Sequence, residues 1–245
     1  MLVAVLVGAG SLLALPASAS HSWNGYHWAR TANPFTLTVV DSNTPDWDDN
    51  LNGALSDWSQ STVLNLTRSQ GDSSTRTRKQ CRMVRGQIRS CNAAYGNNGW
   101  LGLASINVSG GHITQATSKM NDSYFSSSAY DETARQHVMC QEIGHGFGLH
   151  HQDESGADLN TCMDYSNALD NPSPNSHDYQ QLESIYAHLD STTTITSGTA
   201  SALSELVPSW SPASQRSRSV YVDRLADGSE LVTFVFWANP IRAWG

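Results

Sequence analysis

Charged side chains are scarce in this chain. Asp, Glu, Lys and Arg make up 15% of its 245 residues, and acidic residues outnumber basic ones 22 to 14, for a formal net charge of −8. That balance excludes a general nucleic-acid binder, whose footprint is a basic face. Long hydrophobic runs are missing too. The longest, Leu2 to Leu15, is too short to cross a bilayer comfortably, so no stable membrane insertion is expected. There are no convincing internal repeats, and only four cysteines. A chain of this length can bury one sizeable core, or one core and a small appendage.

The uncharged run Leu2–Leu15 leads into Ala17-Ser18-Ala19, an A-x-A cleavage pattern. Although a basic n-region is missing, residues 1–19 read as a secretion signal. The mature chain is expected to begin near Ser20 and to be secreted. Four cysteines fit an oxidising compartment and allow three pairings. Cys81 and Cys91 lie symmetrically about Gly86, which suits a bond closing a hairpin; Cys140 would then pair with Cys162. Buried free thiols are the alternative. Six of the fourteen basic residues, Arg76, Arg78, Lys79, Arg82, Arg85 and Arg89, crowd into the same segment. They read as a solvated hairpin or as a docking patch for an acidic partner. Asn-x-Ser/Thr triplets begin at Asn65, Asn107 and Asn121.

Periodicity organises the rest. Phe35–Val40 and Thr62–Thr67 read as strands, with a helix between them over Thr44–Gln60 that buries Trp47, Leu51, Leu55 and Trp58. Trp100–Val108 and His112–Lys119 are two more strands, separated by Ser109-Gly110-Gly111. A helix is expected from about Asp131 to Phe147, and another over His177–Leu189, anchored by Tyr179, Leu182, Ile185, Tyr186 and Leu189. Residues 20–190 form the main domain, 191–218 a Ser/Thr-rich linker, and 219–245 a tail with a β-hairpin around Asp227-Gly228. An isolated hairpin is marginal in water. This one must pack on the main domain or on a partner.

The chemistry concentrates at the end of the first of those two helices, in Gln141-Glu142-Ile143-Gly144-His145-Gly146-Phe147-Gly148-Leu149-His150-His151. At about 100° per residue, Gln141 and His145 share one stripe and Glu142 lies beside it, while Met139, Cys140, Ile143 and Phe147 form a packing face. Gly148 can take a left-handed conformation and bend the chain, bringing His151 back towards His145. Two imidazoles beside a carboxylate, with a coordination position left open, make a catalytic zinc site.

These residues, with Cys162-Met163-Asp164-Tyr165 downstream, resemble the metzincin metalloproteases, whose pattern is H-E-x-x-H-x-x-G-x-x-H followed by a methionine turn. The specific match covers 141 to 165, and element order follows from about 32 to 190. The resemblance implies an α+β zincin domain: a twisted mixed sheet packed on an N-terminal helix and on the active-site helix, here with a small C-terminal hairpin. It implies zinc held by His145 and His151, Met163 beneath the metal, and Tyr165 near it. It implies a protein or peptide as substrate.

The departure is Gln141, which stands where the family has its first histidine. Its amide oxygen can donate a lone pair but is a poorer donor than imidazole. Gln141 ligates the metal, or another residue replaces it, or the site holds metal weakly. His137 is about 12 Å along the helix from His145, too far for easy sharing of one ion, and reads as a surface residue or one behind the ligands. Cys140 and His150 should face elsewhere; Asp153 or Asp164 could approach by loop folding. The expected function is that of a secreted zinc endopeptidase with Glu142 as general base and Tyr165 as oxyanion donor. The alternative is a pseudoprotease that keeps the cleft as a peptide- or protein-binding module. Substrate would lie extended along an edge strand, with Trp100–Val108 the candidate edge. Only a short segment, including Trp23 and Trp28, separates the signal from the first strand, and no cysteine-switch segment is apparent. Latency, if any, must come from elsewhere. Oligomeric state is unknown from sequence.

Overall fold

A computed structural model describes residues 20–196 and 218–238. The expected signal segment and most of the Ser/Thr-rich stretch lie outside the described residues. The elements run β1 (His27–Trp28), β2 (Phe35–Ser42), α1 (Asp48–Trp58), β3 (Leu64–Gln70), α2 (Thr75–Gln80), β4 (Ile88–Ala93), β5 (Trp100–Ser109), β6 (His112–Asn121), α3 (Asp122–Phe125), α4 (Glu132–His145), α5 (Ser176–Ile185), β7 (Val220–Arg224) and β8 (Glu230–Trp237). All strands join one mixed sheet in the order β3-β2-β4-β6-β5-β8-β7, with β1 also pairing β6. The strands β1 to β4 and β6 run parallel, and β5, β8 and β7 follow antiparallel. This is the expected α+β fold, a mixed sheet packed on α1 and α4.

Helix α1 forms where Trp47, Leu51, Leu55 and Trp58 recur on one stripe, and all four are buried. A 3-10 turn over Pro45–Trp47 precedes it, with Pro45 at the first helical position. Trp58 then donates its indole N–H to the Cys140 carbonyl at 3.0 Å, locking α1 to α4. Asp131 caps α4 by accepting from the Ala134 amide at 2.9 Å. An Asn175–Asp178 capping box opens α5. That helix stops at Ile185, earlier than its spacing suggests, and Leu189 is exposed rather than an anchor.

Two other expectations are corrected. The Cys81–Cys91 segment is not a hairpin. Helix α2, capped by Ser74, ends at a left-handed Cys81, and the chain enters β4 only at Ile88. The disulfide is there, with Cα atoms 6.0 Å apart, but it joins a helix end to a strand. The basic cluster is thus spread over helix, loop and strand. The second correction concerns β5, which is an interior strand. The tail hairpin folds onto it, β8 pairing from Trp100↔Trp237 to Val108↔Glu230. Apolar residues on both faces of β8 join the core, with Val232, Phe234, Val235, Phe236 and Trp237 all buried, which answers what covers the hairpin. Residues 191–196 of the expected linker also lie against the domain: Thr194 N–H donates to the Ala29 carbonyl and Thr196 N–H to that of Gly86. Of the glycosylation triplets, only Asn65 is exposed; Asn107 and Asn121 are buried.

Candidate active site

Helix α4 ends at His145, and the chain turns at Gly148 with φ of +91°. A side chain there would be strained by backbone conformation alone, and its Cβ would overlap the Tyr26 carbonyl. The amino-terminal segment packs along this turn. Trp23 N–H donates to the Gly148 carbonyl at 3.0 Å and His150 N–H to that of His21 at 2.5 Å. Trp28 donates its indole N–H to the Gly146 carbonyl at 2.8 Å.

The turn brings His145 and His151 together, with Nε2 atoms 3.1 Å apart and both rings buried. His145 Nδ1 is 2.9 Å from the Leu149 carbonyl, and His151 Nδ1 is 2.9 Å from Glu154 Oε1. A carbonyl and a carboxylate only accept, so each ring carries its proton on Nδ1. Two bare Nε2 lone pairs therefore face each other. Donors at 2.0–2.1 Å around a tetrahedral zinc stand about 3.3 Å apart, so the pair is spaced to share one such ion. Burial holds the His145 imidazole well below its ordinary range, helped by the neighbouring His151 ring. Burial lowers His151 as well, against the opposing pull of Glu154. Burial works against Glu154 ionisation, yet hydrogen bonds from His151 and Ser219 hold that carboxyl down at about 2.

Gln141 is fully buried, and its Nε2 donates to the Asp164 carbonyl at 2.7 Å. That bond fixes which end of the amide is oxygen. Oε1 has no hydrogen-bond partner. Both oxygens of buried Glu142 are likewise without one, and burial pushes this carboxyl well up from its usual range. The Glu142 side chain lies against the backbone of β5 at Gly102, where a Cβ would overlap Oε1. Orphaned buried acceptors are costly unless something pairs with them. The amide oxygen, the carboxylate and two bare imidazole nitrogens are the donor chemistry a zinc ion with a basic neighbour would satisfy.

Met163 packs under α4 with its sulfur against Gly144, and the Cys140–Cys162 disulfide ties its loop to the helix. The Tyr165 ring is 4.5 Å from that of His151, and its hydroxyl donates to the Val235 carbonyl at 3.2 Å. His137 is buried against Phe236 rather than on the surface, and neither ring nitrogen has a hydrogen-bond partner. The other residues weighed as ligands are engaged elsewhere. Asp153 accepts from Ser155, and Asp164 from Leu159. His150 lies closer than expected, with Nε2 3.7 Å from Glu154 Oε1, but its Nδ1 faces the His151 amide at 2.5 Å.

The sequence reading missed Glu154 and the tail. Glu154 carried a weak signal, three residues past His151. The tail carried one in the run Leu231–Trp237, apolar except for Thr233, which demanded burial on both faces. Phe234 stacks on His145 with ring centroids 4.2 Å apart at 6°, and Phe236 meets Tyr165 edge-on at 5.4 Å. The tail thus lies over the site.

Among solved structures, one of myroilysin is similar at a TM-score of 0.38 and 13% identity, over 65% of this chain and 96% of that one. No curated protein matches. The family profile described as Matrixin matches residues 27–187, more than half of the chain and all of the motif region. The chain therefore belongs to the Matrixin family of zinc-dependent metallopeptidases.

Proposed function

We propose that this protein is a secreted zinc-dependent endopeptidase, with His145, His151 and Gln141 as metal ligands, Glu142 as general base and Tyr165 as oxyanion donor. The observation that carries the reading is the facing pair of unprotonated Nε2 atoms 3.1 Å apart, each with its Nδ1 proton committed elsewhere. Gln141 Oε1, left free by the amide's bond to Asp164, supports the third ligand. Zinc held there supplies a Lewis acid that acidifies a bound water and polarises the scissile carbonyl.

The chain's own groups do the rest. Glu142 accepts the proton of the attacking water and passes it to the departing amine nitrogen. It must be ionised to begin, and a cation beside it offsets the burial that raises its carboxyl. The Tyr165 hydroxyl donates to the oxygen that becomes negative as the carbonyl carbon turns tetrahedral. Glu154 holds the His151 tautomer. Met163 and the Cys140–Cys162 bond fix the floor beneath. Two disulfides, with no described helix long and apolar enough to cross a membrane, support secretion.

Replacing Glu142 with Ala tests this. Hydrolysis of a quenched-fluorescence peptide should fall by at least ~100-fold with zinc content unchanged; undiminished turnover would remove Glu142 as base. A second reading, a pseudoprotease that binds peptides, is favoured by Gln141, a weak neutral donor. It predicts peptide binding by the zinc-loaded wild type with no hydrolysis.

A further inference from the structure

A cluster of histidines lies away from α4, at the far end of the amino-terminal strand. His27 on β1, His112 at the start of β6, and His188 and Asp190 after α5 surround one carboxylate oxygen. Asp190 Oδ1 is 3.5 Å from His27 Nε2, 3.2 Å from His112 Nε2 and 3.7 Å from His188 Nε2. The Nε2 atoms of His27 and His188 are 3.2 Å apart. His27 Nδ1 is 2.8 Å from the Gly25 carbonyl, which fixes its proton there and leaves Nε2 bare. Asp190 Oδ2 is occupied: Arg30 donates to it from Nη1 at 2.9 Å and from its amide at 3.2 Å. That ion pair keeps the carboxylate charged and aims Oδ1 at the imidazoles. The separations bracket the roughly 3.3 Å between neighbouring donors on tetrahedral zinc.

We propose that His27, His112 and Asp190, whose donor atoms all lie within 4.8 Å of one another, form a second zinc-type site, structural in role, with His188 beside it. It ties the amino-terminal strand to the segment that leaves α5. His27 and Asp190 are largely buried, whereas the His188 side chain is half exposed and closes the site from outside. A His27 ring anchored through Nδ1 is the usual support behind a ligating imidazole.

The test uses the full chain carrying His145→Ala and His151→Ala, so that any zinc held is not at α4. After zinc loading and dialysis, elemental analysis should give about one zinc per chain, and zinc should raise Tm by at least about 5 °C. Adding His27→Gln and His112→Gln should abolish both. Cobalt(II) in place of zinc should give the intense visible bands of a tetrahedral centre, a readout needing no further variant. A chain with the α4 pair removed that retains no zinc, and shows no such bands, overturns the site.

A second inference rests on a different observation, and on the protease reading above. Strand β8 lies antiparallel on β5, where an extended substrate was expected. Its Phe234 covers His145, its Val235 carbonyl takes the Tyr165 hydroxyl, and Ser219 at the hairpin's other end donates to Glu154. We infer that the carboxy-terminal hairpin is an inhibitory strand that occupies the substrate's place and must leave before peptide can enter.

Occlusion can be read without turnover, in zinc-loaded full-length chain carrying Glu142→Ala, by titration with a peptidyl hydroxamate. Adding Phe234→Ser and Phe236→Ser should speed hydrogen exchange of 230–237 and tighten hydroxamate binding at least tenfold. Faster exchange with unchanged affinity overturns the inhibitory role and leaves the protease reading intact. If those changes unfold the chain, binding kinetics without them decide. A rate that plateaus at the exchange-measured opening rate of β8 is expected; a linear rise with no plateau overturns the proposal.

Discussion

Tyr165 donates its hydroxyl to a backbone carbonyl of the chain's own tail, Val235, at 3.2 Å. The residue expected to serve a substrate's carbonyl thus already serves one. Tyr165→Phe should lower kcat of peptide hydrolysis by roughly 100-fold, as expected of a donor used in the transition state, while the loosened tail leaves KM unchanged or lowers it. The same change should cost only about 1 kcal/mol of stability through the lost hydrogen bond. Steady-state kinetics and urea melts on the same samples separate the two. A change confined to KM would argue against the oxyanion role.

Gln141→His should tighten zinc binding, because an imidazole replaces an amide oxygen. Competition with a chromogenic chelator measures it, and a gain of at least tenfold is expected. An unaltered affinity would place the third ligand elsewhere.

Gly148→Ala should destabilise the protein by roughly 1–3 kcal/mol, because φ of +91° strains any side chain there. Overlap with the Tyr26 carbonyl adds to the cost. Zinc affinity should fall with it, since the turn sets the His145–His151 spacing. Melting curves with and without zinc report both; a variant as stable as the parent would show that the turn can relax.

Lys119 gives a pH signature of its own. Burial in β6 lowers its ammonium from 10.5 to about 8. Below pH 8 both folded and unfolded chains are protonated, and the folded one keeps a buried charge, at a cost of roughly 3 kcal/mol. Between pH 8 and 10.5 the unfolded chain binds more protons, so stability rises with pH and the penalty disappears. Lys119→Met should therefore stabilise the chain at pH 7, and the gain should shrink towards pH 10.5. Urea melts across that window decide; a gain independent of pH would assign it to packing.

Much of this architecture is legible in the sequence, where local physics decides it. The stripe of Trp47, Leu51, Leu55 and Trp58 and the Asp131 cap set two helices by neighbouring residues alone. The His145–Gly148–His151 spacing did the same for the imidazole pair. What escaped depended on distant partners. Nothing near Trp100–Val108 announces that β5 is interior, because its second neighbour lies more than 120 residues on. Symmetry of Cys81 and Cys91 about Gly86 suggested a hairpin, yet Ser74 capping and the run Thr75–Gln80 favoured a helical turn first. Glu154 was passed over because its role exists only once the Gly148 bend has formed.

The amino-terminal segment grips the loop beyond α4 through Trp23, His150 and the Gly146 carbonyl. Loss of residues 20–28 would therefore loosen that loop, because it removes the Trp23 and Trp28 donors and the His21 carbonyl. A recombinant form cut within this segment would carry an altered clamp. Comparisons of specific activity between preparations should be made only on material with the same first residue.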